Sequence, residues 1–141
     1  LNPDVEKGRS LPVIIDSNFL FIPLKFRVDI FEELQRLLEG RARCVVPSPV
    51  LEELKLIEGG AKPSLRRQAA FALSLAERCD RADESLRDGE TVDDLIIRLA
   101  ESWRCPVATN DAKLRRRLRE RSIPVIYLRE RSHLELDGTI R

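Results

Sequence analysis

Four carboxylates stand at four separated places in this chain, and each follows or borders an apolar run. Asp16 closes Pro12-Val13-Ile14-Ile15, and Glu53 lies in Val50-Leu51-Glu52-Glu53-Leu54. Asp93 opens Asp93-Asp94-Leu95-Ile96-Ile97, and Asp111 closes Pro106-Val107-Ala108-Thr109-Asn110-Asp111. Like charges gathered in a fold repel one another and are costly to desolvate. A divalent cation removes that cost, and hard cations such as Mg²⁺ and Mn²⁺ take oxygen ligands. Four carboxylates with no histidine beside them point to metal-assisted phosphodiester chemistry, provided that they converge. Each also has a simpler role open to it. Asp16 and Asp111 suit helix N-caps, Asp93 suits the positive end of a helix dipole, and Glu53 suits an exposed ion pair.

The elements that must position these acids are legible from spacing. Pro12–Ile15 and Cys44–Val46 are short, β-branched and apolar, as buried strands are. Val28–Leu38 has helical spacing and stops at Gly40. Ser48 is placed as an N-cap with Pro49 at the first helical position, and that helix runs to Gly59-Gly60. Ser64 opens a helix to about Cys79, with a stripe at Leu65, Ala69, Ala72, Leu73 and Ala76. Residues 80–90 are polar, with room for a short edge strand. Thr91 and Asp94 form a capping-box start to a helix ending near Trp103. Val107–Thr109 is a strand, Ala112–Arg121 a helix and Val125–Leu128 a last strand. Alternating strands and helices give an α/β fold with a mainly parallel sheet covered on both faces. Such sheets bind ligands beyond the carboxyl ends of their strands, where strand order reverses. The expected division is a polar arm over 1–11, one domain over 12–130 and a polar tail over 131–141.

Helix geometry separates the neighbouring acids. At about 100° per residue, Glu53 falls at the border of the stripe set by Val50, Leu54 and Ile57, while Glu52 points to water. The same count from Val92 puts Asp93 at the stripe border and Asp94 on the outer face.

Composition bounds the partners. A 43% apolar share suits one globular domain, and 35% charged is high. The net charge of +1 carries no global field for a polyanion. Arginine-rich cations with few Asn or Gln residues and no Met lean toward a heat-adapted source. Three cysteines, Cys44, Cys79 and Cys105, form no CxxC pair, so a reducing cytoplasmic setting without disulfides or zinc is expected. No apolar run reaches the roughly 20 residues that span a bilayer, and no signal peptide is visible. His133 is the lone histidine; no Ser-His or Cys-His pair and no glycine-rich phosphate loop is present.

With these residues in place, the chain resembles the PIN domain family. Ile15-Asp16-Ser17-Asn18-Phe19-Leu20 is similar to its first motif, where Thr is more usual at Ser17, and Pro47–Leu54 to its second. Asp93–Ala100 is similar to the third and Val107–Asp111 to the fourth. The resemblance covers roughly residues 11–130. The run Val107–Arg117 and the ending Pro124–Arg129 look closest to the group of the eukaryotic small-subunit processome endonuclease and its archaeal counterparts. VapC-type toxins share the four-acid pattern.

The resemblance implies a three-layer α/β/α sandwich and metal-dependent endonuclease action on RNA. Asp16, Glu53, Asp93 and Asp111 would form the Mg²⁺ or Mn²⁺ site, with Ser17, Asn18, Thr109 and Asn110 as hydrogen-bonding supports. Lys113, Arg115, Arg116, Arg117 and Arg119 would contact RNA phosphates. Partners implied are RNA, a second copy of the chain, and either a pre-ribosomal particle or an antitoxin, with no membrane. A non-catalytic PIN module that binds RNA or protein is the alternative. A phosphoacceptor receiver domain also has an acidic pocket at strand ends. It normally needs an acidic pair at the first strand, and Ile15-Asp16 lacks one.

Overall fold

The computed structural model describes residues 10–140. The sheet has six strands: β1 (Leu11–Ile15), β2 (Ala42–Pro47), β3 (Asp80–Ala82), β4 (Val107–Ala108), β5 (Val125–Arg129) and β6 (His133–Asp137). Their order is β3-β2-β1-β4-β5-β6. All pairs are parallel except β5 with β6. Six helices accompany them: α1 (Ile22–Phe26), α2 (Ile30–Leu37), α3 (Ser48–Glu58), α4 (Pro63–Ala76), α5 (Val92–Trp103) and α6 (Ala112–Glu120). From β1 the chain steps outward through β2 to β3, then returns to β4 and continues to β5. Right-handed crossovers therefore set α1 to α4 on one face and α5 with α6 on the other. Contacts agree: α3 packs on α4, and both touch the 3-10 turn Ser17–Phe21. The result is the three-layer α/β/α sandwich expected.

The core follows the sheet. Val13, Ile14, Ile15, Val107, Ala108, Val125 and Ile126 are inaccessible to solvent. Leu95 and Ile96 of α5 and Leu114 and Leu118 of α6 are equally buried. The capping box at Thr91 is present: Asp94 N donates to Thr91 Oγ1 at 3.1 Å, and Thr91 N donates to Asp94 Oδ2 at 3.0 Å. The edge strand expected in 80–90 is β3, kept short and charged as exposed edges are.

Several boundaries differ from expectation. Residue 11 belongs to β1, and residues 1–9 of the expected arm lie outside the described residues. Asp29 starts α2 later than Val28, because its carboxylate accepts from Phe31 N and Glu32 N. Pro47 occupies the N-cap of α3, so Ser48 does not cap it. The Ser48 hydroxyl instead donates to Glu84 O at 2.8 Å and accepts from Glu84 N at 3.0 Å, pinning α3 to the segment after β3. Leu65 is 40% exposed rather than part of the α4 stripe. Phe19, Leu20 and Ile22 are fully packed in the core.

The expected polar tail is in part a strand. Glu130 and Arg131 adopt φ of 53° and 58°, and Ser132 N donates to Arg129 O, which turns the chain into β6. The outer edge of β6 is covered by α2. Leu134 N donates to Glu33 Oε1 and Arg36 donates to Leu134 O, each at 2.9 Å. Leu134 is fully buried against the core. Leu134→Ala should cost about 2–5 kcal/mol in urea unfolding; a cost near zero would return residues 131–141 to the status of a tail.

Candidate functional site

The sheet reverses between β1 and β4, the two strands whose ends carry Asp16 and Asp111. Asp16 is 4% exposed, an unusual burial for a carboxylate. Its Oδ1 accepts from Ser17 N at 2.8 Å, and its Oδ2 accepts from the Asn18 amide and the Thr109 hydroxyl, both at 2.7 Å. Thr109 follows β4, so this last bond ties the two strand ends together. The Thr109 oxygen also accepts from Asp111 N at 3.1 Å. The Asn18 carbonyl accepts from Asn110 N at 2.8 Å, and the Asn110 side-chain oxygen accepts from Leu128 N at 2.9 Å. Asn18 and Thr109 thus hold Asp16 directly. Asn110 extends the β4–β5 connection instead.

The other three acids are set by helices that begin at this end of the sheet. Glu53 lies in the second turn of α3 and is half-buried, while Glu52 is exposed. Asp93 lies in the first turn of α5. Asp111 is the N-cap of α6: its Oδ1 accepts from Lys113 N at 2.8 Å and Leu114 N at 3.0 Å. Those bonds use one oxygen and leave Oδ2 outward, so capping and a second role are compatible.

The acids share one field. Burial pushes the Asp16 carboxyl above its usual range, against hydrogen bonds from Thr109, Ser17 N and Asn18, and the charge of Asp93 adds to the rise. Burial also raises Glu53, followed by the charges of Asp16 and Asp93, and the Ser17 side chain opposes by donating to it. Asp93 is raised by burial and then by Asp111, with Arg117 and Lys113 opposing. The charge influences run between Asp16, Glu53 and Asp93 and from Asp111 to Asp93, so these acids lie toward one edge of the sheet. Among the described residues, however, no three His, Cys, Asp or Glu side chains are set as a ready metal cage. The donor set is nonetheless oxygen-only, as hard divalent ions require.

Asp94 departs from the solvated position expected. It is 36% exposed, closes the capping box and pairs with Arg117 at 2.7 Å, which holds it near pKa 2. The α6 cations are largely committed as well. Arg115 stacks 3.7 Å from the Tyr127 ring and pairs with Asp137 at 2.9 Å. Arg119 shares Asp137 at 3.2 Å, and Arg121 pairs with Glu101 at 2.7 Å. Lys113 and Arg116 make no salt bridge among the described residues. The Arg117–Asp94 link, which fastens α6 to α5 beside Asp93, was missed from sequence because its partners lie 23 residues apart.

Comparison with known proteins follows this geometry. Residues 13–131 match the family described as PIN like domain. Ribonuclease VapC9 of Archaeoglobus fulgidus is 30% identical over 130 residues, which is 90% of this chain and 92% of that protein. Ribonuclease VapC4 of Methanocaldococcus jannaschii is 29% identical over 137 residues, covering 91% and 98%. The rRNA-processing protein fcf1 of Schizosaccharomyces pombe is 31% identical over 121 residues, 84% of this chain but 59% of that longer protein. The structure of the PIN domain endonuclease Utp24 superposes with a TM-score of 0.75 at 28% identity, covering 92% of each chain. VapBC2 from Rickettsia felis shares the fold at a TM-score of 0.61 and 18% identity, over 84% of this chain and 100% of that one.

An acid whose folded pKa exceeds its unfolded value holds its proton more tightly when folded. Its contribution to stability therefore falls as pH rises through that window. In EDTA, Glu53→Gln should raise Tm near pH 7, and the gain should shrink as pH drops toward the ordinary value of 4.5. A Tm difference independent of pH would show that Glu53 does not share the field of Asp16 and Asp93.

Proposed function

This chain belongs to the PIN-like domain family, and on that premise we propose that it is a metal-dependent endoribonuclease hydrolysing RNA phosphodiester bonds. The observation that carries the proposal is the buried Asp16 carboxylate at the β1–β4 reversal, raised by burial and by Asp93, with Glu53 raised in turn by burial and then by Asp16 and Asp93. Carboxylates that raise one another's pKa are poised to take a cation, since an opposite charge relieves both burial and repulsion.

On this reading Asp16, Asp93 and Asp111 would hold Mg²⁺ or Mn²⁺, and Glu53 would complete the set or orient a water. When bound, the ion would acidify a water and stabilise charge developing on the phosphate. Thr109 and Asn18 fix the Asp16 carboxylate so that its orientation costs nothing at the moment of reaction. Ser17 N adds a third donor to Asp16. Lys113 and Arg116, free of salt bridges, would meet RNA phosphates, while Arg115, Arg117 and Arg119 serve the scaffold first. The nuclease unit runs from β1 through β6. Free thiols suit a reducing, cytoplasmic compartment, and among the described residues no helix is long and apolar enough to cross a membrane.

Two biological settings follow from the relatives. The Utp24 and fcf1 similarities support a role in ribosomal RNA processing, with a pre-ribosomal particle as partner. The two VapC ribonucleases support a toxin that arrests growth until an antitoxin binds it. Expression separates them: growth arrest relieved by a small co-expressed protein favours the toxin, and tolerance with pre-ribosomal association favours processing.

Purified protein should cleave RNA with Mn²⁺, and cleavage should vanish in EDTA and in Asp16→Asn. Thr109→Val should weaken apparent metal affinity by roughly 10–100-fold while leaving the fold intact. RNA bound but never cut would instead favour the non-catalytic module. Lys113→Glu with Arg116→Glu should weaken RNA binding and lower the slope of log K against log salt by about 1 to 2; an unchanged slope would remove this face of α6 from the interface.

A further inference from the structure

Two of the three cysteines meet, although 35 positions separate them in sequence. β2 and β3 are parallel neighbours in the register Val45↔Asp80. Cys44 of β2 and Cys79, the residue just before β3, are the positions immediately before that pair, so continuing the register sets them side by side. Neighbouring strands lie about 4.8 Å apart, inside the Cα window of about 4.4–6.8 Å that a disulfide needs. Each thiol is the main influence on the other, holding Cys44 low and Cys79 high, while Cys79 Sγ also donates to Leu75 O at 4.0 Å. Both residues are half-buried, so small reagents can reach them, whereas Cys105 is 2% exposed.

The surroundings favour reaction at Cys44. The Arg78 guanidinium lowers the Cys44 thiol and is itself held 4.0 Å from the centre of the Phe31 ring. Burial and Asp80 push the other way, yet the contact with Cys79 and the Arg78 charge together leave the Cys44 thiol lowered. Cys79 is raised, chiefly by its contact with Cys44 and by burial. Cys105 is pushed up to about 12 by burial and has no thiol neighbour among the described residues. One thiol of the pair is therefore the nucleophile and the other stands ready to resolve it.

We propose that Cys44 and Cys79 form a redox-modification site that closes to an intramolecular disulfide under peroxide. The Cys44 thiolate attacks one peroxide oxygen, breaking the O–O bond, so that hydroxide leaves and a sulfenic acid remains. The Cys79 sulfur then attacks the Cys44 sulfur, the sulfenic oxygen departs as water, and the Cys79 proton goes with it. Two thiols and one peroxide give one disulfide and two waters, with both electrons of the oxidation passing to peroxide. The bond would close the segment β2–α3–α4 onto the start of β3. In a reducing compartment such a link is transient and responsive rather than permanent. The site lies apart from the carboxylate edge and does not depend on the nuclease reading.

The full chain treated with hydrogen peroxide, then denatured and titrated for thiols, should fall from three titratable thiols to one. Its mass should drop by about 2 Da, and peptide mapping should link Cys44 to Cys79. Tm should rise on the order of 10 °C, because the closed loop constrains the unfolded chain, and dithiothreitol should reverse all of these changes. Cys79→Ser should stop at a sulfenic acid on Cys44, trapped by dimedone, and Cys44→Ser should give neither product. Three thiols persisting after peroxide, a link through Cys105, or covalent dimers alone would overturn the proposal.

Discussion

A buried carboxylate at the reversal of a parallel sheet is the constraint on which this structure depends. Asp16 sits where β1 ends and where the chain's outward and return paths part. Left alone there, its charge would be prohibitively costly. Three donors from two strand ends offset the cost: Ser17 N, the Asn18 amide and the Thr109 hydroxyl. They do not cancel it, since burial still raises the carboxyl. The same hydroxyl that holds Asp16 accepts from Asp111 N and so fixes where α6 begins. Position of the first acid and position of the last are thereby one structural fact.

The arginines of α6 serve this arrangement more than their number suggests. Arg117 and Arg121 fasten α6 to α5, and Arg115 and Arg119 fasten it to Asp137 of β6. Each pair is partly exposed and worth roughly 0–1 kcal/mol, so none dominates stability. Their common effect is geometric. α5 carries Asp93 and α6 begins at Asp111, so a cross-brace between the two helices sets the spacing of two like charges that would otherwise drift apart. Of the five cations read from sequence as a phosphate surface, Arg115, Arg117 and Arg119 are also ion-paired within the fold.

How much of this was legible depended on whether the signal was local. Apolar runs disclosed β1, β2 and β5, and Thr91 with Asp94 disclosed the start of α5 by a mechanism confined to one turn. The angular separation of Glu53 from Glu52 needed only the helix period. β6 was hidden because its turn uses Glu130 and Arg131 at positive φ, where glycine or asparagine would have announced a hairpin. Its polar alternation is paired on one side by β5 and covered on the other by Glu33 and Arg36, which no local pattern reveals. The helical ends at Arg27 and Arg104 are left-handed caps without glycine for the same reason. Ser48 was misplaced because a hydroxyl before proline resembles an N-cap, and its true partner lies 36 residues away.

Among the four acids, Glu53 is held differently from the rest, and the difference follows from topology. Asp16 and Asp111 are fixed by hydrogen bonds at strand ends, and Asp93 by a capped helix braced to α6. Glu53 rides on α3, whose amino end is pinned by Ser48 to Glu84 and whose outward face at Leu56 is 78% exposed. Its position relative to Asp16 rests on the β1–β2 ladder of four residue pairs, because α3 follows β2 directly. The joints on the side of Asp111 are shorter, two residue pairs each at β1–β4 and β4–β5, against three at the β2–β3 pair. Cys44 and Cys79 lie at the head of the same pair. α3 also packs on the 3-10 turn that Asp16 opens, so Glu53 and Asp16 are placed by shared contacts, whereas Asp93 and Asp111 are placed by α5 and α6 on the other face of the sheet.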